Sequence, residues 1–334
     1  MKKKIVFSGI QPTGLLTIGN YIGALSQWKK LQKKYFCIYC IADLHALTIY
    51  QKENVLNKNI LDTLSVCLAS GIDPKKNIIF IQSHVSQHTQ LNWILNCFTN
   101  FGVLKRMTQF KKKIHLNKNI NAGLFSYPIL MAADILLYQT YKVPVGKDQI
   151  QHIELVRDIA YRFNKTYGKK IFTIPKKKLH ENYGSCIMSL LSPMTKMSKS
   201  DDNKNNIITL FDSDLTIRKK IQHAVTDSDN PPNIKFDLKN KPGISNLLII
   251  LSNITEISIQ KLEYYFYKKN YHDLKEFIIF NLCFFLKKFR KKFFLYRKNE
   301  TLLKSIIING AQKAEKYAKS TLKKVHNIIG LNIK

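Results

Sequence analysis

Arginine is nearly missing from this chain: of 54 basic residues only six are Arg, against 22 acidic residues. Several other things are missing too. No apolar run reaches membrane-spanning length, which argues against a transmembrane helix and a membrane partner. The start, Met1-Lys2-Lys3-Lys4-Ile5-Val6-Phe7, is basic but passes at once to Ser8, Gly9 and Gln11. It lacks the apolar core and cleavage site of a signal peptide, so a cytoplasmic chain is expected. Cys37 and Cys40 form a C-x-x-C with no second pair, which excludes the common zinc frameworks. They fall in a segment that reads as a buried strand, where free thiols behave as small hydrophobes. His84 and His88 have no acidic or thiol neighbour in sequence, so no metal site is expected there either. Neither G-x-G-x-x-G nor the Walker lysine motif occurs, which excludes dinucleotide oxidoreductases and P-loop NTPases.

What is abundant is lysine. The formal charge of +32 would suit a polyanionic partner. Ile, Asn, Phe and Tyr are also plentiful, and all share AT-rich codons with Lys. Most of the charge therefore reads as composition drift, which permits RNA binding without demonstrating it.

The 334 residues suffice for roughly two domains of about 100–200 residues each. Lys4–Ser8 reads as a strand, followed by a loop containing Pro12 and Gly14. Gly19–Lys34 then reads as a helix, with Ile22, Leu25, Trp28 and Leu31 at helical spacing. Tyr35–Ile41 and Asn77–Ile81 read as strands around the amphipathic helix Asn54–Ser70, which Gly71 stops. Helical patterns dominate up to a fourth strand, Lys142–Val145, and the helix Gln149–Tyr167 ends at Gly168. Lys169–Ser185 reads as basic and irregular, and Pro193–Asn206 as polar loop. Beyond Leu215 nearly everything is helical, broken at Pro231-Pro232 and Pro242-Gly243. Alternating strands and helices predict an α/β fold, a doubly wound parallel (Rossmann-like) sheet with a helical insertion over residues 1–200. A C-terminal helical domain is expected over 201–334.

Two segments carry chemistry. The first strand feeds Ser8-Gly9-Ile10-Gln11-Pro12-Thr13-Gly14, and a helix opens at Thr17-Ile18-Gly19-Asn20. Such a strand end facing a helix N-terminus is where an α/β sheet binds nucleotides. Gly19 lets a nucleotide approach the backbone, and Thr17 and Asn20 are uncharged donors beside it. A simply capped helix start would look the same. Far downstream, Lys196-Met197-Ser198-Lys199-Ser200 places two ammonium groups and two hydroxyls in a polar loop. These can stabilise charge on a leaving pyrophosphate, and a loop can close and reopen.

Together these segments resemble the two ATP motifs of class I aminoacyl-tRNA synthetases, the first in the variant typical of tryptophanyl-tRNA synthetases of bacterial type. Other blocks agree in order along the chain: Phe7–Pro12, Met107–Lys111, Met131–Tyr138, Val143–Gly146, His152–Leu155 and Ala224–Ser228. The resemblance implies activation of L-tryptophan by ATP and its transfer to tRNA(Trp). It also implies a homodimer, and an anticodon-binding role for residues 201–334. It assigns ATP contacts to Gln11, Pro12, Thr13, Gly19, Asn20, Gly146, Lys147, Asp148, Ile187 and the Lys196–Ser200 loop. Thr17, Asn20, Lys113, Lys196 and Lys199 would carry catalysis, and Mg²⁺ would be held mainly through ATP phosphates. The family usually has Glu at Lys147 and often Arg at Cys186, so a backbone contact is expected at the first position.

Asp134 lies in an apolar stretch, Ile129–Tyr138, where a carboxylate is costly without a partner. A core Asp bonded to backbone is one reading. The resemblance implies instead that it accepts the indole N–H, a donor that phenylalanine lacks. Met131 and Tyr127 share its helix face by spacing, and Phe7 ends the first strand; these would line the pocket. The resemblance adds His45, facing the active site, and Gln149, reaching toward substrate. By its own residues Asp148 is expected to cap the helix that follows. Three rivals remain open: a tyrosyl-specific synthetase of the same fold, a related nucleotidyltransferase, and a non-catalytic RNA-binding protein suggested by charge alone.

Overall fold

The computed structural model describes residues 3–14, 16–52, 54–111, 121–179, 186–198 and 201–332. Lys113, Lys199 and Ser200 lie outside the described residues. The strands are β1 Ile5–Ile10, β2 Phe36–Ile41, β3 Ile78–Ile81, β4 Lys142–Val145 and β5 Lys176–Leu179. They form one sheet in the order β3-β2-β1-β4-β5, and every pair is parallel, with Val6 opposite Cys37 on one side and Lys142 on the other. The chain leaves β1 toward β2 and β3 on one flank and returns to β4 on the other. This reversal makes the β1/β4 carboxyl ends the crevice where α/β sheets bind ligands. β3 is buried throughout and β2 nearly so, which matches their unbroken apolar runs. Cys37 and Cys40 are buried thiols in β2, and burial raises both.

The fifth strand corrects the expectation of an irregular Lys169–Ser185. β5 opens Lys-Lys-Lys, which hides its propensity, but it is an edge strand paired only with β4. Lys176 and Lys177 are exposed there, as lysines that discourage further pairing at an edge should be.

The described residues fall into two compact units that interleave along the chain. One comprises Met1–Thr13, Lys30–Leu179 and Tyr296–Lys334, and the other Gly14–Lys29 and His180–Leu295. This partition differs from a single boundary at residue 200, because the last helix, Glu300–Ile329, belongs with the sheet. Its Gly310 lies so close to β3 that a Cβ would stand 1.8 Å from the Ile79 carbonyl oxygen. Any side chain there would force the helix off the strand, and overpacking of this kind costs about 1–3 kcal/mol or more. Ala314, Ala318, Leu322 and Val325 of that helix join Ile38, Phe80, Leu91, Ile129 and Phe163 in the unit's core.

In the second unit the expected helix Gly19–Lys34 is not uniform. A short turn at Ile18–Asn20 leads into a π-helical segment, Tyr21–Leu25, and then the α-helix Ser26–Leu31. The Ser26 hydroxyl donates to the Ile22 carbonyl at 2.9 Å, while its backbone N–H reaches back to Tyr21. Local side-chain competition of this kind widens a helical turn, and such bulges cluster at functional sites. Pro242 does not break a helix; it opens one, Pro242–Thr255. No single helix among the described residues is long and apolar enough to cross a membrane.

Candidate active site

In the sheet-bearing unit, four loops leave the carboxyl ends of β1 to β4. Three donors converge on Asp134, which projects from the helix Ala122–Leu136. Its Oδ2 accepts from His45 Nε2 at 2.9 Å, and its Oδ1 from His88 Nδ1 at 2.6 Å. Gln82 Nε2 donates to both oxygens, at 2.8 and 2.9 Å. Burial alone would push this carboxyl up. The hydrogen bond from His45 and the charge and hydrogen bond of His88 outweigh it, and hold Asp134 well below the usual carboxylate range. Asp134 is therefore a buried anion rather than a core Asp bonded to backbone.

The surroundings fix that anion in place. His88 Nε2 in turn meets the Tyr138 hydroxyl at 2.8 Å, so both ring nitrogens of His88 are held. Phe7 stacks on Tyr138 with centroids 5.5 Å apart, and Phe80 packs against both Tyr138 and His88. Phe7 thus supports the ring that supports His88. Asp43 ties the two loops bearing the donors, accepting from the backbone N–H groups of Leu44 and Ser83 at 3.0 Å each. Tyr127 and Met131 are half-buried on the helix of Asp134. The Tyr127 ring lies edge-on to His45 at 6.2 Å and its hydroxyl meets His152 Nε2 at 2.7 Å. Burial, then the charge of Asp148, pushes the Tyr127 phenol up to about 12.

Asp148 does not cap the following helix. It lies inside a 3₁₀ turn, Lys147–Gln149, and Gln149 holds the cap position of Ile150–Thr166 without a side-chain bond. The Asp148 carboxylate instead folds back over Gly146, where a Cβ would meet Oδ1 at 2.6 Å, and accepts from Gln149 Nε2 at 2.9 Å. A hydrogen bond to a neighbouring side chain competed with the cap and won. Ahead of β2, Gln11 is exposed, Pro12 is buried, and the Thr13 N–H closes on the Gln11 carbonyl at 2.9 Å.

The second unit brings the two ATP-type motifs together. Thr17 and Asn20 form a reciprocal cap: Asn20 Oδ1 accepts the Thr17 N–H at 3.0 Å, and Thr17 Oγ1 accepts the Asn20 N–H at 3.3 Å. The capped-turn reading and the nucleotide reading are thus not exclusive, since Asn20 Nδ2 takes no part in the cap. Backbone bonds tie this turn to Ile208 and Leu210. Downstream, Met197 N–H bonds to the Ile187 carbonyl at 2.9 Å and Ser189 N–H to that of Thr195 at 2.8 Å. Lys196 therefore rides on a small antiparallel ladder, with its own side chain and that of Ser198 exposed. Gly19 lies against both arms: a Cβ there would stand 3.5 Å from Ile187 and 3.7 Å from Met197. Buried Asn246 clamps the ladder, donating to the Met188 carbonyl and accepting its N–H, both at 2.9 Å.

Sequence reasoning missed Gln82, His88, Tyr138, His152 and Asn246. The usable signal for the first two was position. A buried carboxylate requires donors, and Gln82 and His88 both follow the end of the third strand, where ligand-facing groups belong. His84, noted with His88 in the sequence, is exposed.

Comparisons with known proteins identify the family. The family model described as tRNA synthetases class I (W and Y) matches residues 1–278. The chain is 56% identical over 333 residues to a tryptophan--tRNA ligase of Wigglesworthia glossinidia brevipalpis, covering 99% of each chain. Its fold superposes on a tryptophanyl-tRNA synthetase from Mycoplasma pneumoniae with a TM-score of 0.91, at 34% identity over 99% of this chain and 98% of that one. A Campylobacter jejuni tryptophanyl-tRNA synthetase complexed with ADP and tryptophan gives a TM-score of 0.82, at 37% identity over 98% and 99% of the two chains. With a doubly wound sheet, a buried carboxylate at its ligand end and both nucleotide motifs in family order, the chain belongs to the class I tRNA synthetases for tryptophan and tyrosine, in their bacterial tryptophanyl group.

Proposed function

We propose that the protein activates L-tryptophan with ATP and transfers the tryptophanyl group to tRNA(Trp). The observation that carries the amino-acid assignment is Asp134, a buried anion with three side-chain donors and, among the described residues, no ion-pair partner of fixed charge. It is suited to accept the indole N–H; Tyr127, Met131, His45 and Phe7 are assigned to the pocket around the ring, and Gln149 to the substrate. Phenylalanine would leave such an acceptor unmatched, and buried polar groups left unmatched discriminate strongly. The tryptophan--tRNA ligase named above supports this reading over the tyrosyl one.

In the reaction, a carboxylate oxygen of tryptophan attacks the α-phosphorus of ATP. The bond from that phosphorus to the pyrophosphate oxygen breaks, giving tryptophanyl-adenylate and pyrophosphate. No protein nucleophile is needed; catalysis comes from positioning and charge stabilisation. Gln11, Pro12, Thr13, Gly19 and Asn20 are assigned to the nucleotide, with Thr17 fixing the turn. Gly146, Lys147 and Asp148 are assigned to its ribose and Ile187 to adenine. Lys113, Lys196 and Lys199 follow the phosphates, with Met197, Ser198 and Ser200 completing the loop. Among the described residues no cluster of three His, Cys, Asp or Glu is placed to hold a metal. Mg²⁺ would take its ligands mainly from ATP phosphates and water, and would supply charge neutralisation there. A hydroxyl of the terminal ribose of tRNA then attacks the acyl carbon of the adenylate, and the bond to the phosphate oxygen breaks, releasing AMP.

Residues 201–334 are assigned to the anticodon side of tRNA, and the chain is expected to work in the cytoplasm. A homodimer is proposed, supported by exposed Trp93 and Phe101 on the sheet-bearing unit. Charging of a tRNA(Trp) transcript with labelled tryptophan tests the whole reading. Accumulation of tryptophanyl-tRNA(Trp), and not of a mismatched tRNA, is expected; charging of neither would refute the transfer step.

A further inference from the structure

The Asp134 carboxylate has no lone pair to spare. A carboxylate offers about four acceptor positions, and Asp134 uses four: Gln82 and His88 at Oδ1, Gln82 and His45 at Oδ2. A substrate N–H can be accommodated only where one of these bonds yields. The bond that yields at least cost is a split one, and Gln82 Nε2 is the donor shared between both oxygens.

Gln82 carries a second peculiarity. It is fully buried, yet its Oε1 has no hydrogen-bond partner among the described residues. The amide cannot be turned to cure this, because a flip would set Oε1 against the Asp134 carboxylate. The backbone of Gln82 is anchored as well. Its backbone carbonyl is held by Val85 N–H at 3.1 Å, and the next residue's N–H is held by Asp43. A buried acceptor left without a donor costs about 1–3 kcal/mol, and such orphans require an explanation. This one stands directly after β3, at the ligand end of the sheet, on the side chain that already grips Asp134.

We infer that Gln82 is a specificity-determining residue whose Oε1 accepts the ring N–H of the bound substrate together with Asp134, while its Nε2 contracts to a single bond on the carboxylate. The inference rests on Asp134 as the indole reader and adds a second acceptor to it. One N–H then satisfies an orphan oxygen and relieves a split bond. A ring without N–H leaves both as they are, so discrimination is built from a pair of residues on different loops rather than from one.

The test compares tryptophan with its benzothiophene isostere, in which sulfur replaces the ring N–H, as substrates for ATP–pyrophosphate exchange. In the wild-type protein, exchange with tryptophan itself tests the underlying reading, so its failure would be seen before any variant is made. In Gln82→Met, which keeps length but has neither donor nor acceptor, the ratio of kcat/KM for tryptophan over the isostere should fall on the order of tenfold. Activity with the isostere should fall less than activity with tryptophan. Gln82→Glu guards against a misfolded Met variant: beside Asp134 the two carboxyls share a proton, restoring one donor and one acceptor. Its ratio should stand close to that of the wild type. An unchanged ratio in Gln82→Met, or a parallel loss with both substrates, would overturn the inference and leave Gln82 a purely structural prop.

Discussion

The proposed amino-acid pocket and the proposed nucleotide motifs are built from opposite materials. Asp134 is buried and fixed by His45, Gln82 and His88, themselves braced by Tyr138, Phe7 and Asp43. Lys196 and Ser198 are exposed, on a ladder of backbone bonds that positions their main chain and leaves their side chains at the surface. A single N–H is a small signal, so its reader must be desolvated and preorganised before it can discriminate. A triphosphate carries a large charge, and long flexible cations can follow it as it separates. On the proposed roles, specificity would be concentrated where burial is greatest, and charge handling where it is least.

Breaking the buried side of this contrast should have the largest effect. Asp134→Ala removes the acceptor of three buried donors, and loss of one side of such an arrangement costs about 3–5 kcal/mol. Exchange with tryptophan should fall by about 10⁴-fold or more, measured as kcat/KM, with the thermal midpoint falling as well. Lys196→Ala should act differently: kcat for exchange falls roughly 10²–10³-fold, while the KM for tryptophan and the denaturation midpoint barely move. If both variants lost KM and kcat alike, the division of labour would be wrong.

Two predictions separate structure from chemistry within each region. Asn246→Ala leaves both backbone groups of Met188 without partners, which should cost about 1–3 kcal/mol in urea denaturation. The pH dependence probes Asp134. Its carboxyl is depressed in the folded state, so its stabilising contribution is whole above the unfolded value of about 3.9. That contribution is lost as pH falls below it toward the folded value. The stability gap between the wild type and Asp134→Asn should therefore narrow as the pH drops from about 5 to about 2. A gap constant across that range would show that Asp134 is not held as an anion. The smallest effect belongs to the surface. Lys177 and Glu154 pair at 3.4 Å, both roughly half exposed, and Lys177→Ala should change stability by less than about 0.5 kcal/mol.

The same contrast governs what the sequence makes legible. The unbroken apolar runs of β2 and β3 announce a buried parallel sheet, and Asp134 stands out because it interrupts such a run. The nucleotide motifs are local, each within a few residues, so they can be read directly. The partners of Asp134 cannot: His45, Gln82 and His88 lie 89, 52 and 46 residues away, and only the strand order brings their loops to one end of the sheet. β5 was hidden because a row of lysines at a sheet edge resembles a loop. The π-helical turn and the Asp148 fold-back escaped because each depends on one side chain outcompeting a regular backbone bond, at Ser26 and at Gln149. Gln82 and Asn246 show the general limit. Amides carry no periodicity of their own, and their importance appears only once the groups they hold are known.

The central claim is that a buried carboxylate makes this synthetase specific for tryptophan. The most direct measurement is ATP–pyrophosphate exchange by the wild-type protein with each of the twenty amino acids in turn. Exchange with tryptophan alone is predicted, with tyrosine and phenylalanine at background. Exchange driven best by tyrosine, or by none of the twenty, would contradict it.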